Sequence, residues 1–276
     1  MRKRIFFLLF AIELITISCN TYYEEFGDMS PYVLNEILYL TKTGTPIELN
    51  ISDGWGATLL FNVYENGLGR IIFGQIVTHI PSRAFENCNE LRAIYIPEGV
   101  IYVGDNLFKG CNYLELIIVG KRVSSIESQA FCGCTGELVL NCNCFGLYGG
   151  AFTKLVIGDG VTSIEDRAFS GYESLTNVTI GNSVRWIGEE AFSGCRNIIS
   201  ATISSGVTSI GGGAFDDCTS LKEIYCKPTT PPIVNMSMFE SNASGRKIYV
   251  PRNSVEAYKT AKGWKEYAED IVGYDF

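Results

Sequence analysis

A chain of 276 residues with 46% hydrophobic content carries ample material for a core, which excludes a disordered chain overall. A formal charge of -8 excludes the clustered basic surface that nucleic-acid phosphates require. A single histidine, His79, leaves little from which to build a histidine-centred catalytic or metal site.

The chain opens with Arg2, Lys3 and Arg4, an apolar run from Ile5 to Ile17 interrupted by Glu13, then Ser18 and Cys19. That run is too short for a membrane span of about 20 residues and predicts a signal peptide over residues 1–18. The end of the run, Thr16-Ile17-Ser18-Cys19, resembles the lipobox of bacterial lipoproteins, with Thr16 where an aliphatic residue is usual. The resemblance implies cleavage before Cys19 and lipid attachment to its sulfur. Each buried methylene contributes about 0.8 kcal/mol, so several acyl chains anchor a protein where one does not. Residues 19–35 then read as a lipid-attached tether.

From residue 76 the chain repeats itself. Valine recurs at Val77, Val100, Val123, Val161, Val184 and Val207, followed three residues later by Ile80, Val103, Ile126, Ile164, Ile187 and Ile210. Phenylalanine recurs at Phe85, Phe108, Phe131, Phe169, Phe192 and Phe215, in steps of 23, 23, 38, 23 and 23, and the long step contains an abbreviated copy around Phe152. A fixed period with apolar residues at fixed offsets marks a solenoid in which each repeat makes one turn. Segments such as "VTSI" favour a short strand, "AFSGC" predicts a tight turn or one short helical turn, and "SLTNVTI" alternates as a strand with Leu175, Val178 and Ile180 inward. Stacked turns about 4.8 Å apart make the recurring phenylalanine a ladder through the core. Repeats over 76–232 are followed at 233–276 by a strand, a turn and a helix starting after Ser254, with Val255, Tyr258 and Ala261 on one face, which predicts a cap.

The motifs "IPSRAFENCNELRAIYIPEGV", "IEDRAFSGYESLTNVTIGNSV" and "IGGGAFDDCTSLKEIYC" resemble the BspA-like, or Treponema pallidum-type, leucine-rich repeats of bacterial surface proteins. The resemblance implies a β-rich, right-handed leucine-rich-repeat solenoid of about 23-residue turns with short strands and short helical turns. Through "NEILYLTKTGTPIELN" and "YENGLGRIIF" it also implies a small N-terminal β module over residues 36–75, and a C-terminal strand and helix cap completes the expected fold.

Cys88, Cys111, Cys134, Cys195 and Cys218 share the offset three after phenylalanine, and Tyr172 takes that place once. A ladder in register reads as buried, small and apolar, since free cysteine packs well in cores. Cys226 sits at an inward strand position. Cys132, Cys134, Cys142 and Cys144 form two pairs separated by one residue. Structural zinc favours wider spacing, and in a strand this spacing places two side chains on one face, so core packing, a disulfide within the cluster and zinc all stay open, in that order. His79 faces outward by alternation. Asp159, Glu165, Asp216 and Asp217 occupy corners that vary among the repeats, which suits solvated turns better than catalytic carboxylates. No nucleophile-elbow, phosphate-loop or calcium-loop motif occurs.

Alternation leaves one outward lane, Tyr95, Ile118, Val139, Val156, Thr179, Thr202 and Tyr225, beside a second, Ala93, Leu116, Asn177, Ser200 and Glu223. The N-terminal half of these lanes is apolar. Such a strip either contacts a partner or reflects sheet propensity alone. The expected ligand-binding residues are Tyr95, Leu116, Ile118, Val139, Val156 and Tyr225, with no cofactor and no metal. The expected function is a non-catalytic protein-binding module, a lipid-anchored lipoprotein at the outer membrane or cell surface, with a secreted or periplasmic location as the alternative. What the resemblance implies for partners is adhesion to host extracellular-matrix proteins or to other bacterial surface proteins. Two other readings remain: glycan or nutrient capture, which asks for aromatic platforms such as Tyr95, Tyr225 or Trp186, and a hydrolase, which asks for paired buried carboxylates.

Overall fold

The computed structural model describes residues 35–50, 54–144, 150–234 and 236–276. The expected signal peptide, Cys19 and the tether up to residue 34 lie outside the described residues. The chain divides after Ala151 into two units.

In the N-terminal unit, β1 (Glu36–Thr41), β2 (Leu59–Glu65) and β3 (Leu68–Phe73) form an antiparallel meander. Asn66 and Gly67 join β2 to β3 with φ of 54° and 81°, the left-handed pair that a two-residue hairpin turn requires. From there the chain enters its repeats: β4 (His79–Ile80), β5 (Leu91–Ile96), β6 (Tyr102–Val103), β7 (Leu116–Val119), β8 (Ser125–Ile126) and β9 (Thr135–Leu140). The strands β5, β7 and β9 pair in parallel, β4, β6 and β8 form a second parallel set, and β1 joins the first set by pairing antiparallel with β5.

The C-terminal unit repeats the same plan. One sheet holds β10 (Ala151–Ile157), β12 (Asn177–Ile180), β14 (Ser200–Ile203), β16 (Glu223–Cys226), β18 (Lys247–Pro251) and β19 (Ile271–Tyr274), all parallel neighbours in that order. The other holds the two-residue strands β11 (Ser163–Ile164), β13 (Trp186–Ile187), β15 (Ser209–Ile210) and β17 (Ile233–Val234). The expected solenoid of about 23-residue turns is therefore present in both units.

Between a short strand and the next long one the chain turns twice around the phenylalanine. The segment is a run of turns and not a helix. Two residues after each phenylalanine the backbone is left-handed, at Asn87, Gly110, Gly133, Gly171, Gly194 and Asp217, with φ between 55° and 80°. Glycine, asparagine and aspartate tolerate that region best, which is why the corner reads "FxG" or an Asx variant in the six full copies.

The rings form the expected ladders. Phe85, Phe108 and Phe131 stack at 5.6 and 6.0 Å in the first unit, and Phe169, Phe192 and Phe215 at 5.2 and 5.1 Å in the second. Each is fully buried, as is Phe152 of the abbreviated copy. Burying such a side chain stabilises by roughly 1.5–3 kcal/mol, and no single turn encloses one alone. The ladder ends were not evident from the repeat. Trp55 meets Phe85 edge-on at 5.9 Å, while Phe239 continues the second ladder at 5.8 Å and meets Tyr267 edge-on at 5.3 Å.

The C-terminal helix α1 spans Val255–Thr260 and buries Tyr258, whose hydroxyl donates to the Pro228 carbonyl at 2.8 Å. Ser254 does not cap it. Its hydroxyl donates instead to the Thr229 carbonyl at 2.7 Å, tying the helix start to the preceding turn.

Candidate functional site

Strand pairing aligns the outward side chains in rows. Across the N-terminal unit they run Leu38–Tyr95–Ile118–Val139 and Leu40–Ala93–Leu116–Glu137 on β1, β5, β7 and β9. Across the C-terminal unit they run Val156–Thr179–Thr202–Tyr225–Tyr249–Val272 and Lys154–Asn177–Ser200–Glu223–Lys247.

The first pair of rows is a packed cluster. Leu40, Leu68, Ala93 and Leu116 bury one another, and Leu38, Tyr95, Ile118 and Val139 pack against them half-buried. Leu116, expected as an exposed lane residue, is only 6% exposed, and Val156 in the other unit is 7% exposed. For Leu116 the reason lies in the meander: β1 pairs antiparallel with β5 and brings Leu38 and Leu40 beside the lane, so much of the lane's apolar area in this unit is taken up by internal packing. Tyr95, Ile118 and Val139 keep partial access.

The second pair of rows changes character along the sheet, from Thr179 and Thr202 to aromatic rings. Tyr225 stacks on Tyr249 with centroids 4.9 Å apart and planes 17° apart, and Tyr274 stands edge-on to both at 5.6 and 5.5 Å. Phe276 adjoins Tyr274 at 5.0 Å, and the Lys227 ammonium lies 5.6 Å over the Phe276 ring. Tyr274 is 42% and Phe276 51% exposed, so the group forms an open aromatic patch. The Tyr225 hydroxyl donates to the Glu223 carboxylate at 3.2 Å. Burial raises the Tyr225 pKa above the ordinary tyrosine value, and the nearby Glu223 charge adds to that, so the phenol stays neutral at physiological pH. Arg252 grips Asp275 through Nε and Nη2 at 2.7–3.3 Å, fixing the segment that carries Tyr274 and Phe276. That pairing lowers the Asp275 pKa.

Only Tyr225 of this patch was anticipated. A signal for Tyr249 was available: "KIYVP" copies "EIYCKP" with tyrosine at the same strand position, one rung beyond the last clear repeat. Tyr274 and Phe276 have no repeat signature, because β19 follows the cap helix.

The other tempting residues take structural places. His79 is half-buried against Tyr102, ring centroids 5.7 Å apart, with Nδ1 2.9 Å from the Thr78 hydroxyl. The Asp216 carboxylate accepts the Glu240 backbone N–H at 2.7 Å across a corner, and partial burial raises its pKa. Glu165 and Asp217 are exposed, and Trp186 is a lone exposed ring on β13.

The cysteine ladder is buried as expected and does more than fill space. Cys111, Cys195 and Cys218 donate their thiols to the carbonyls of Phe85, Phe169 and Phe192 at 3.0, 3.0 and 3.2 Å, each reaching one turn back. Burial pushes the Cys88 thiol up to about 11 and those of Cys111, Cys134, Cys195 and Cys226 up to about 12, so these sulfurs are inert thiols at neutral pH. None of the nine cysteines among the described residues is in a disulfide, and among those residues no group of three or more His, Cys, Asp or Glu side chains is arranged to hold a metal ion.

The model of the BspA type leucine rich repeat region matches residues 60–138 and 139–261, in six copies. The chain belongs to the BspA-type leucine-rich repeat family. Solved structures with a similar chain include a leucine-rich repeat protein of Treponema pallidum, 19% identical over 81% of this chain and 92% of that one, with a TM-score of 0.35. A leucine-rich cell surface protein of Faecalibacterium prausnitzii is 24% identical over 73% of this chain and 64% of that one, with a TM-score of 0.32. A leucine-rich repeat protein of Bacteroides ovatus is 16% identical over 84% of this chain and 81% of that one, with a TM-score of 0.27. No curated protein matches. Among the described residues no helix is long and apolar enough to cross a membrane.

Proposed function

We propose that this member of the family is a non-catalytic protein-binding module of the bacterial surface, and that its partner docks on the outer sheet face of the C-terminal unit. The observation that carries this reading is the patch of Tyr225, Tyr249, Tyr274 and Phe276 beside Glu223 and Lys247. Tyrosine-rich patches with a polar rim are the usual anchors of protein interfaces, because an amphipathic ring adds contact area at small entropic cost. Tyr225 and Tyr249 turn one face toward each other and Tyr274 closes on both, so the patch offers ring edges and hydroxyls. That suits a protein surface better than the open ring face on which a sugar stacks. The half-buried Tyr95, Ile118 and Val139 form a secondary contact strip on the N-terminal unit.

In the same reading Cys19 carries the lipid anchor, and the partner is a host extracellular-matrix protein or a surface protein of another bacterium. The test is a binding screen of residues 20–276 against matrix proteins and a glycan panel, beside a folded Tyr249→Ser/Tyr274→Ser variant. Removal of anchor rings of this kind costs at least about 2 kcal/mol, roughly a thirty-fold loss of affinity. A matrix-protein hit that the variant loses supports adhesion through this face. A hit confined to glycans, or one the variant retains, overturns it.

A further inference from the structure

Strand β19 is the last strand of its sheet, so one of its sides has no strand beside it among the described residues. The Asp270 carbonyl accepts the Ile248 N–H at 2.9 Å, which sets the phase of the pairing with β18. Backbone groups of successive strand residues point to opposite sides, so Val272 and Tyr274 turn theirs toward β18, as Asp270 does, and Ile271 and Gly273 turn theirs to the open side. Natural sheets commonly blunt such an edge with a lysine, a proline or a bulge. The edge Ile271-Val272-Gly273-Tyr274 has none of the three, and it pairs with β18 without a register shift. The carboxylates on this face are engaged: Glu223 accepts the Tyr225 hydroxyl at 3.2 Å, Asp270 pairs with Arg246 at 3.2 Å and Asp275 with Arg252 at 2.7 Å. Lys227 and Lys247 enter no ion pair among the described residues, and the Lys227 ammonium lies over Phe276 at the rim of the aromatic patch. Lys247 stands in register beside Glu223, four residues before Lys227, so the two lysines bracket the rings. Four residues of strand span about 13 Å.

We propose that the partner engages this patch through an extended acidic segment that adds to β19 as a further strand. The inference rests on the reading of the patch as the docking site and names the chemistry of the partner. A strand laid along the edge takes up the outward N–H and C=O groups of Ile271 and Gly273, and its outer side chains continue the rows that end in Val272 and Tyr274. Main-chain hydrogen bonds give such a complex its affinity, and alternate side chains give it selectivity. Two carboxylates four residues apart in an extended segment lie on one face about 13 Å apart, the spacing of Lys227 and Lys247, and an apolar residue midway between them meets Val272 and the rings. A basic segment meets two ammonium groups instead, a like-charge contact that disfavours it. The edge is held from behind: a Cβ on Gly273 would stand 3.1 Å from Val255 Cγ2 and 3.3 Å from Arg252 Cα. Arg252 in turn grips Asp275, so both ends of the edge are fixed before the partner arrives.

The test titrates the full chain with the blocked peptide Thr-Glu-Thr-Val-Thr-Glu-Thr and with twins carrying glutamine or lysine in place of glutamate, following amide exchange and chemical shifts by NMR. The glutamate peptide should slow exchange at the Ile271 and Gly273 amides and leave those of Val272 and Tyr274, already bonded to β18, unchanged. The glutamine twin should bind about five-fold more weakly, as expected for the loss of two exposed ion pairs, and the lysine twin more weakly still. Lys227→Gln/Lys247→Gln should erase the difference between the glutamate and glutamine peptides. Equal binding of the three peptides by the parent chain, no binding, or no protection at Ile271 and Gly273 overturns the proposal, whether or not the variant folds. Protection of those amides without peptide, in a dimer, makes a second copy the occupant and overturns it too. A matrix-protein hit that Tyr249→Ser/Tyr274→Ser abolishes, but that leaves the Ile271 and Gly273 amides exchanging freely, sinks this inference and leaves the docking reading standing.

Discussion

The two units share a repeat, a period and a core, yet their outer sheet faces have opposite fates. In the N-terminal unit Leu40, Leu68, Ala93 and Leu116 seal one another. In the C-terminal unit the same register positions carry Asn177, Ser200 and Glu223, and the adjacent row carries the half-buried Tyr225 and Tyr249, against which the exposed Tyr274 stands edge-on. Inward positions are held constant because every turn needs its neighbours to bury them, whereas outward positions are free to serve either stability or contact. An apolar outward lane is therefore not by itself a binding surface. What lies beside it decides.

The units should respond alike where the core is cut. Phe108→Ala in one and Phe169→Ala in the other should each destabilise by about 3–5 kcal/mol, since both rings are fully buried between stacked neighbours. Denaturant unfolding checks this, and a parent-like midpoint for either variant breaks the equivalence of the ladders.

Cuts on the outer face should separate the units. Leu116→Ala should cost about 2–4 kcal/mol, because it opens a hole in a packed cluster. Thr202→Ala, one row over in the C-terminal unit, trims a half-buried side chain between Thr179 and Tyr225 and should stay within about 1 kcal/mol. Equal losses would mean that the second face is sealed as well.

A pH dependence is common to both units. Buried ladder thiols have folded pKa values of about 11–12, above the unfolded value of 9.0. The stability linked to them is therefore complete below pH 9 and declines as pH rises toward the folded value, because the unfolded chain releases its protons first. Each thiol contributes a slope of about 1.4 kcal/mol per pH unit in that window. Cys195→Ala should shallow the alkaline slope by about that amount, and urea midpoints measured from pH 8 to 10.5 would show it. An unchanged slope would place the Cys195 thiol in contact with solvent.

Much of this was legible from the chain alone. The period, the inward strand residues, the phenylalanine and cysteine ladders and the glycine-marked corners all repeat in register, and each rests on a local pattern that one turn imposes on the next. The family resemblance rests on the same residues. The fate of the outer face was not legible, because it depends on β1 arriving antiparallel beside β5, a pairing between residues about 50 apart that no period announces. Nor was the aromatic patch, since Tyr274, with Phe276 against it, reaches Tyr225 and Tyr249 only after the helix α1 has returned the chain to the sheet as β19. Sequence determined what each turn must bury, because burial is enforced by the repeat. Tertiary structure decided what each turn could still offer to a partner, because exposure depends on the strands and caps that settle alongside.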